Sequence, residues 1–139
     1  MPSLPGFGFF EKRREYGPLF VRLVVGFVLV YGTQDNVFSH ERMLEFRDFL
    51  AARRVPYPLV SAQLSAYAQF VCGILFAIGL ATRPAALLMV INFVAALLIA
   101  HLDAPLDAAR LALCMLFSSL FLLFHGPGKL SVDERLGWD

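Results

Sequence analysis

The sequence predicts an all-α integral membrane protein, a four-helix transmembrane bundle with an interfacial amphipathic helix between spans 1 and 2. Three observations carry that prediction. Hydrophobic residues make up 58% of the 139 and charged residues only 17%, against about 25% charged in an ordinary soluble domain. No charged side chain stands between Arg54 and Arg83, nor between Arg83 and Asp103, and a membrane helix needs about 20 predominantly apolar residues to cross the hydrocarbon core. Between the first and second apolar runs, charged and apolar residues interleave at helical spacing. The spans fall at about 17–38, 59–80, 84–102 and 107–124, within a single domain covering 1–139.

The first element is an anchor. PGFGFF is followed by the charged EKRRE, and then Gly17 and Pro18 open an apolar run that continues to about Phe38. With no small-residue cleavage site in it, that run reads as an uncleaved first helix and not as a signal peptide. Arg22 lies in its first turns, where a long side chain reaches the interface by snorkelling. The run ends at Gln34, Asp35 and Asn36. Asp35 there is either a helix-end carboxylate in headgroup water or a functional acid.

From Ser39 to Pro58 the apolar residues Met43, Phe46, Phe49 and Leu50 share one helical face, against Glu41, Arg42, Glu45, Arg47 and Asp48. That pattern suits an amphipathic helix lying on the membrane, and the same face would serve as a lid over the bundle or as a docking face for a partner. Pro56 and Pro58 stop it. In the second span Ser61 and Ser65, Ala68 and Cys72, and Gly73 and Ala77 form small-x-x-x-small pairs. Such pairs let helix backbones approach in lipid, which places this helix at the centre of the bundle.

The second and third spans form a hairpin. Gly79 suits the end of one, Thr82 the cap of the next, and Pro84 its first turn, where a missing N–H costs nothing. At 1.5 Å per residue, Gln69 and Asn92 meet at similar depth in a core of about 30 Å. An interhelical hydrogen bond between them is expected, with a shared polar ligand as the alternative. The fourth span starts near Pro105 and Asp107 and carries Ala108, Ala112, Met115 and Ser119 along one face. In the tail, Ser131 and Glu134 match the S-x-x-E capping box and predict a short surface helix.

Several classes of function are excluded. A net charge of +1 without a basic stripe leaves no nucleic-acid surface. Cys72 and Cys114 lie in separate apolar runs about 9 Å apart in depth, too far for a disulfide that needs Cα atoms within about 7 Å, and they read as small packing residues. No metal-binding cluster or paired-histidine haem site is present. Of the 12 Lys and Arg residues, Lys12, Arg13, Arg14, Arg22, Arg83, Lys129 and Arg135 fall on the side of the termini and the rest on the other. The positive-inside rule then puts both termini in the cytoplasm.

With that topology Asp35, Gln63, His101, Asp103, Asp107 and Arg110 all belong to the outer layer of the bundle. Carboxylate, imidazole and guanidinium groups at the membrane edge bind a quinone headgroup, relay protons or hold an anionic solute. They would equally form an ion-pair cluster that ties loop ends together, with Asp107 and Arg110 at i,i+3 on one helix face.

The order of the motifs carries a resemblance. It runs from Arg22-x-x-x-Gly26, through a small-residue helix closing on Gly79-Leu-x-Thr-Arg83, to an Ala-rich helix with Asn92 in its middle and Ala-x-x-x-x-Ala-His at its end. It finishes on the Gly-Pro-Gly-Lys-Leu-Ser-Val-Asp of 126–133. This arrangement resembles the DoxX family of small bacterial four-helix membrane proteins. Asp35 departs from it, standing where many members carry Lys. The resemblance implies a multi-pass protein of the bacterial inner membrane, linked to redox systems such as thiosulfate:quinone oxidoreduction or thiol and superoxide detoxification. Quinone is the cofactor it implies, and its partners are the lipid bilayer, an oxidoreductase subunit and further copies of the chain. A polar-solute carrier and a scaffold recruiting a soluble protein through the amphipathic helix are the competing readings.

Overall fold

The computed structural model describes residues 5–100 and 106–137. After a short helix α1 (Gly8–Glu11) and a 3-10 turn (Arg14–Tyr16) come α2 (Gly17–Phe38), α3 (His40–Ala52) and α4 (Pro58–Ile78). They are followed by α5 (Thr82–Ala100), α6 (Leu106–His125) and α7 (Val132–Leu136). The long helices pack α2 on α4 and α5 on α6, and contacts from α4 to α5 and α2 to α6 close the ring. The segments Arg14–Phe38, Pro58–Ile78 and Thr82–Ile99 are long and apolar enough to cross a membrane, with a shorter apolar helix at Ala109–His125. The chain is therefore a helical membrane bundle, as its hydropathy predicts.

Local chemistry explains the boundaries. Proline occupies the first turn of both α2 and α4, where the missing N–H removes no helical bond. Ser39 caps α3 by accepting the Arg42 N–H at 3.4 Å. Gly79 closes α4 at φ +75°, a left-handed conformation that a Cβ disfavours. A Cβ at Gly79 would also land on Arg22 and Ser131, so both backbone and packing select glycine.

The tightest contact joins α2 to α4. A Cβ added to Gly26 would stand 2.7 Å from the Gly73 carbonyl oxygen, and one added to Gly73 would stand 3.0 Å from the Gly26 carbonyl oxygen. The two backbones touch, the small-residue packing expected where lipid provides no hydrophobic drive between helices. Val25, Leu29, Cys72, Phe76, Met89, Phe93 and Leu122 fill the adjoining core. Along α6 Ala109, Ala112, Met115, Ser119 and Leu122 are buried, and Ala112, Met115 and Ser119 are residues expected on that face.

Two expectations need correction, and one open alternative is decided. Arg22 does not snorkel: it is fully buried at 0% exposure, and its Nη2 donates to the carbonyls of Lys129 and Leu130 at 3.1 and 3.0 Å. An arginine one and a half turns into a helix lies within reach of the returning tail as well as of solvent, and the tail carbonyls take it. Thr82 is not the cap of α5. Its N–H and that of Ala81 donate to the Asp133 carboxylate at 2.8 and 2.6 Å, a cap supplied from 51 residues away. The amphipathic helix α3 does more than lie on the membrane. Met43 and Leu50 bury against Ala62 and Ala66 of α4, so its apolar face covers protein.

Candidate ligand cavity

A cavity of about 740 Å³ opens on the far side of the bundle from the termini, between α4 and α5, with walls also drawn from α2, α3 and α6. The two helices are joined at residues 79–81. Phe46, Phe49 and Leu50 of α3, Leu29 of α2 and Met115 of α6 complete the lining. The rim is apolar and open: Leu64 is 70% exposed and Ile91 58% exposed. In a bilayer such a rim faces acyl chains.

Within these apolar walls stands one polar array. Gln69 Nε2 donates to Ser65 Oγ at 3.0 Å, and Ser65 Oγ donates to Asn92 Oδ1 at 2.7 Å. The bond expected between Gln69 and Asn92 does not form among the described residues; Ser65, which accepts from Gln69 on its own helix, makes the bond that crosses from α4 to α5. Ser65 and Gln69 are four apart, hence on one face of their helix; that spacing was visible in the sequence, where Ser65 counted only as a small residue. Thr33, also in the lining, satisfies itself by donating to Leu29 O at 2.6 Å.

The other expected site residues fall elsewhere. Asp35, Gln63 and Arg110 are exposed and do not line the cavity. Asp107 falls in the first turn of α6, while His101 and Asp103 lie outside the described residues. Cys72 is buried, Cys114 exposed, and both are free thiols. Among the described residues no group of three or more His, Cys, Asp or Glu side chains is placed to hold a metal ion.

At the termini end, residues 126–137 clasp the bundle. Asp133 caps the start of α5, and Asp133 N–H donates to Gly79 O at 2.9 Å. Arg83 Nη2 donates to the closing carbonyls of α6, Phe124 and His125, at 3.5 and 3.3 Å. Acid at a helix N-terminus and base at a C-terminus both match the helix dipole. The predicted tail helix forms, with Ser131 Oγ accepting the Glu134 N–H at 3.1 Å, but Ser131 and Asp133 are buried. Lys129 N–H donates to Glu15 O at 3.0 Å, which ties the tail to the chain ahead of α2. The Lys129 ammonium lies 3.4 Å from Glu134 and 3.5 Å from Glu15, and these carboxylates, Glu134 first, raise its pKa above the ordinary 10.5.

The DoxX family model matches residues 17–102, from the start of α2 through α5. The uncharacterized membrane protein Rv3486 of Mycobacterium tuberculosis is 35% identical, over 59% of this chain. The match spans 59% of that relative's length. No solved structure matches the chain. The bundle of apolar helices and the family match over more than half of the sequence lead to one conclusion: this chain belongs to the DoxX family.

Proposed function

We propose that the chain is the membrane subunit of a quinone-linked redox system, holding a quinone-like lipophile in the α4–α5 cavity and meeting an oxidoreductase at the membrane surface. The observation that carries this reading is the cavity itself. Its volume, about 740 Å³, falls within the range of about 300–1,000 Å³ typical of small-molecule sites. Apolar walls, a rim open toward the bilayer and one amide–hydroxyl array suit an apolar molecule with a small polar head. A freely soluble polar solute would leave most of that wall without a matching partner, which favours the redox reading over a carrier.

The same proposal keeps Asp35, Gln63, His101, Asp103, Asp107 and Arg110 as candidate ligand-binding groups, with His101 as the candidate proton carrier among them. The setting is the bacterial inner membrane with both termini cytoplasmic. The test is purification in native-membrane nanodiscs, followed by mass spectrometry of extracted lipids and of copurifying proteins. Quinone enriched over its share of the bulk membrane, together with an oxidoreductase, is the expected result; quinone at the bulk level and no such protein overturns the reading.

A further inference from the structure

We infer that Asn92 is the residue that reads the head of the cavity ligand, by donating its Nδ2 hydrogens to a carbonyl oxygen of an otherwise apolar molecule. The inference rests on the proposed occupancy of the α4–α5 cavity and adds which atoms recognise the occupant. Its basis is the direction of the hydrogen bonds. Gln69 gives a hydrogen to Ser65, and Ser65 gives its hydrogen to Asn92 Oδ1. The Asn92 carbonyl is thereby occupied, and Nδ2 is the part of the amide left open.

What the array leaves over is the Asn92 amino group, which makes no hydrogen bond among the described residues, beside walls supplied by Leu88, Ile91 and Met115. An amide donor in apolar surroundings lacks the partner that water would give it, so an acceptor entering the cavity gains what the protein does not supply. Asn92 lies ten residues above Thr82 in α5, about 15 Å at 1.5 Å per residue. That is the middle of a core of about 30 Å, below the depth at which phosphate or sugar headgroups sit. A ligand that meets Asn92 therefore carries its carbonyl on a body that is itself membrane-soluble. A prenylated quinone and the ester of a diacyl lipid are two sources of that chemistry. Ser65 and Gln69 are positioning residues: they hold the amide so that its donor, and not its acceptor, faces the ligand.

The test uses the full chain in nanodiscs of saturated lipid ethers, which contain no carbonyl. A short-tailed quinone labelled with carbon-13 at its carbonyls and a short-chain diacylglycerol labelled likewise are titrated separately into wild type, Asn92→Leu and Ser65→Ala. Binding and the infrared carbonyl stretch are both read. Expected for the quinone are binding to wild type with the stretch of one carbonyl lowered, affinity about tenfold weaker in Asn92→Leu, equivalent to about 1.4 kcal/mol, and loss of the shifted band. Ser65→Ala should broaden the band and weaken binding by less. The wild-type spectrum decides the point even if Asn92→Leu does not fold.

Quinone binding with an unshifted stretch and no sensitivity to Asn92 overturns this inference and leaves the proposed function standing. Binding of the diacylglycerol alone, with the same dependence on Asn92, supports the donor role and overturns the quinone reading. Binding of neither overturns both.

Discussion

A single buried guanidinium shows how the termini end is held. Arg22 places one nitrogen on two tail carbonyls and packs under Gly79, and attraction from Asp133 and Glu134 offsets part of the cost of burying its charge. Asp133, 2% exposed, serves both this charge and the first N–H groups of α5. Removing one member of a buried charged network strands the other, which costs more than the interaction itself contributes. Asp133→Ala should therefore destabilise the protein by on the order of 3 kcal/mol, with a smaller loss for Asp133→Asn, which keeps one accepting oxygen. Reversible unfolding in detergent measures both.

Lys129 adds a pH dependence at the same end. Its pKa is raised in the folded protein, so its contribution is complete below the ordinary lysine value and is lost as pH rises through the raised one. The difference in unfolding midpoint between wild type and Lys129→Met should accordingly be constant at neutral pH and vanish at strongly alkaline pH. Added salt should shrink it, since both partners are solvent-accessible.

Between elements, the α2–α4 crossing is the contact least able to yield. The atoms that meet a Cβ at Gly26 are the Gly73 carbonyl oxygen and the Ala77 backbone nitrogen, and neither can move without displacing a helix. Gly26→Val should cost about 3 kcal/mol or more and lower the yield of folded monomer in detergent, read as a shift from the monodisperse peak to aggregate on size exclusion. A Cβ added at Gly32, six residues further along α2, would meet nothing within 4 Å. Gly32→Ala should leave stability unchanged or raise it by about 0.5–1 kcal/mol.

The contrast between Gly26 and Gly32 was only half legible in the sequence. Gly26 belongs to the Arg22-x-x-x-Gly26 motif, but that spacing does not say which helix the glycine meets. Helix α3 is a similar case. Its apolar face was readable from Met43, Phe46, Phe49 and Leu50, whereas the surface it covers, Ala62 and Ala66 of α4, is set by the packing of the two helices.

For the whole molecule, the contact between Lys129 and Glu15 puts the segment ahead of α2 and the segment after α6 on one face of the bundle. Cysteines introduced at Arg54 and at Arg110 should then be labelled from one side of the membrane, and those at Arg83 and Lys129 from the other. Labelling of Arg83→Cys and Arg54→Cys from the same side in intact cells would contradict the four-span topology.

The sequence by itself determined the spans, the amphipathic helix between the first two, the Gly79 turn and the Ser131 capping box. Each is written in neighbouring residues: hydropathy runs, a period near 3.6 and cap spacings are properties of a few consecutive turns. Only the tertiary structure decided that Arg22 turns inward to carbonyls 107 and 108 residues away, that Asp133 caps α5, and that Ser65 links Gln69 to Asn92 across a cavity. A buried polar group takes whichever partner the packing brings within about 3 Å. In a bundle that partner is set by which helices touch and at what depth, which no local pattern in the chain records.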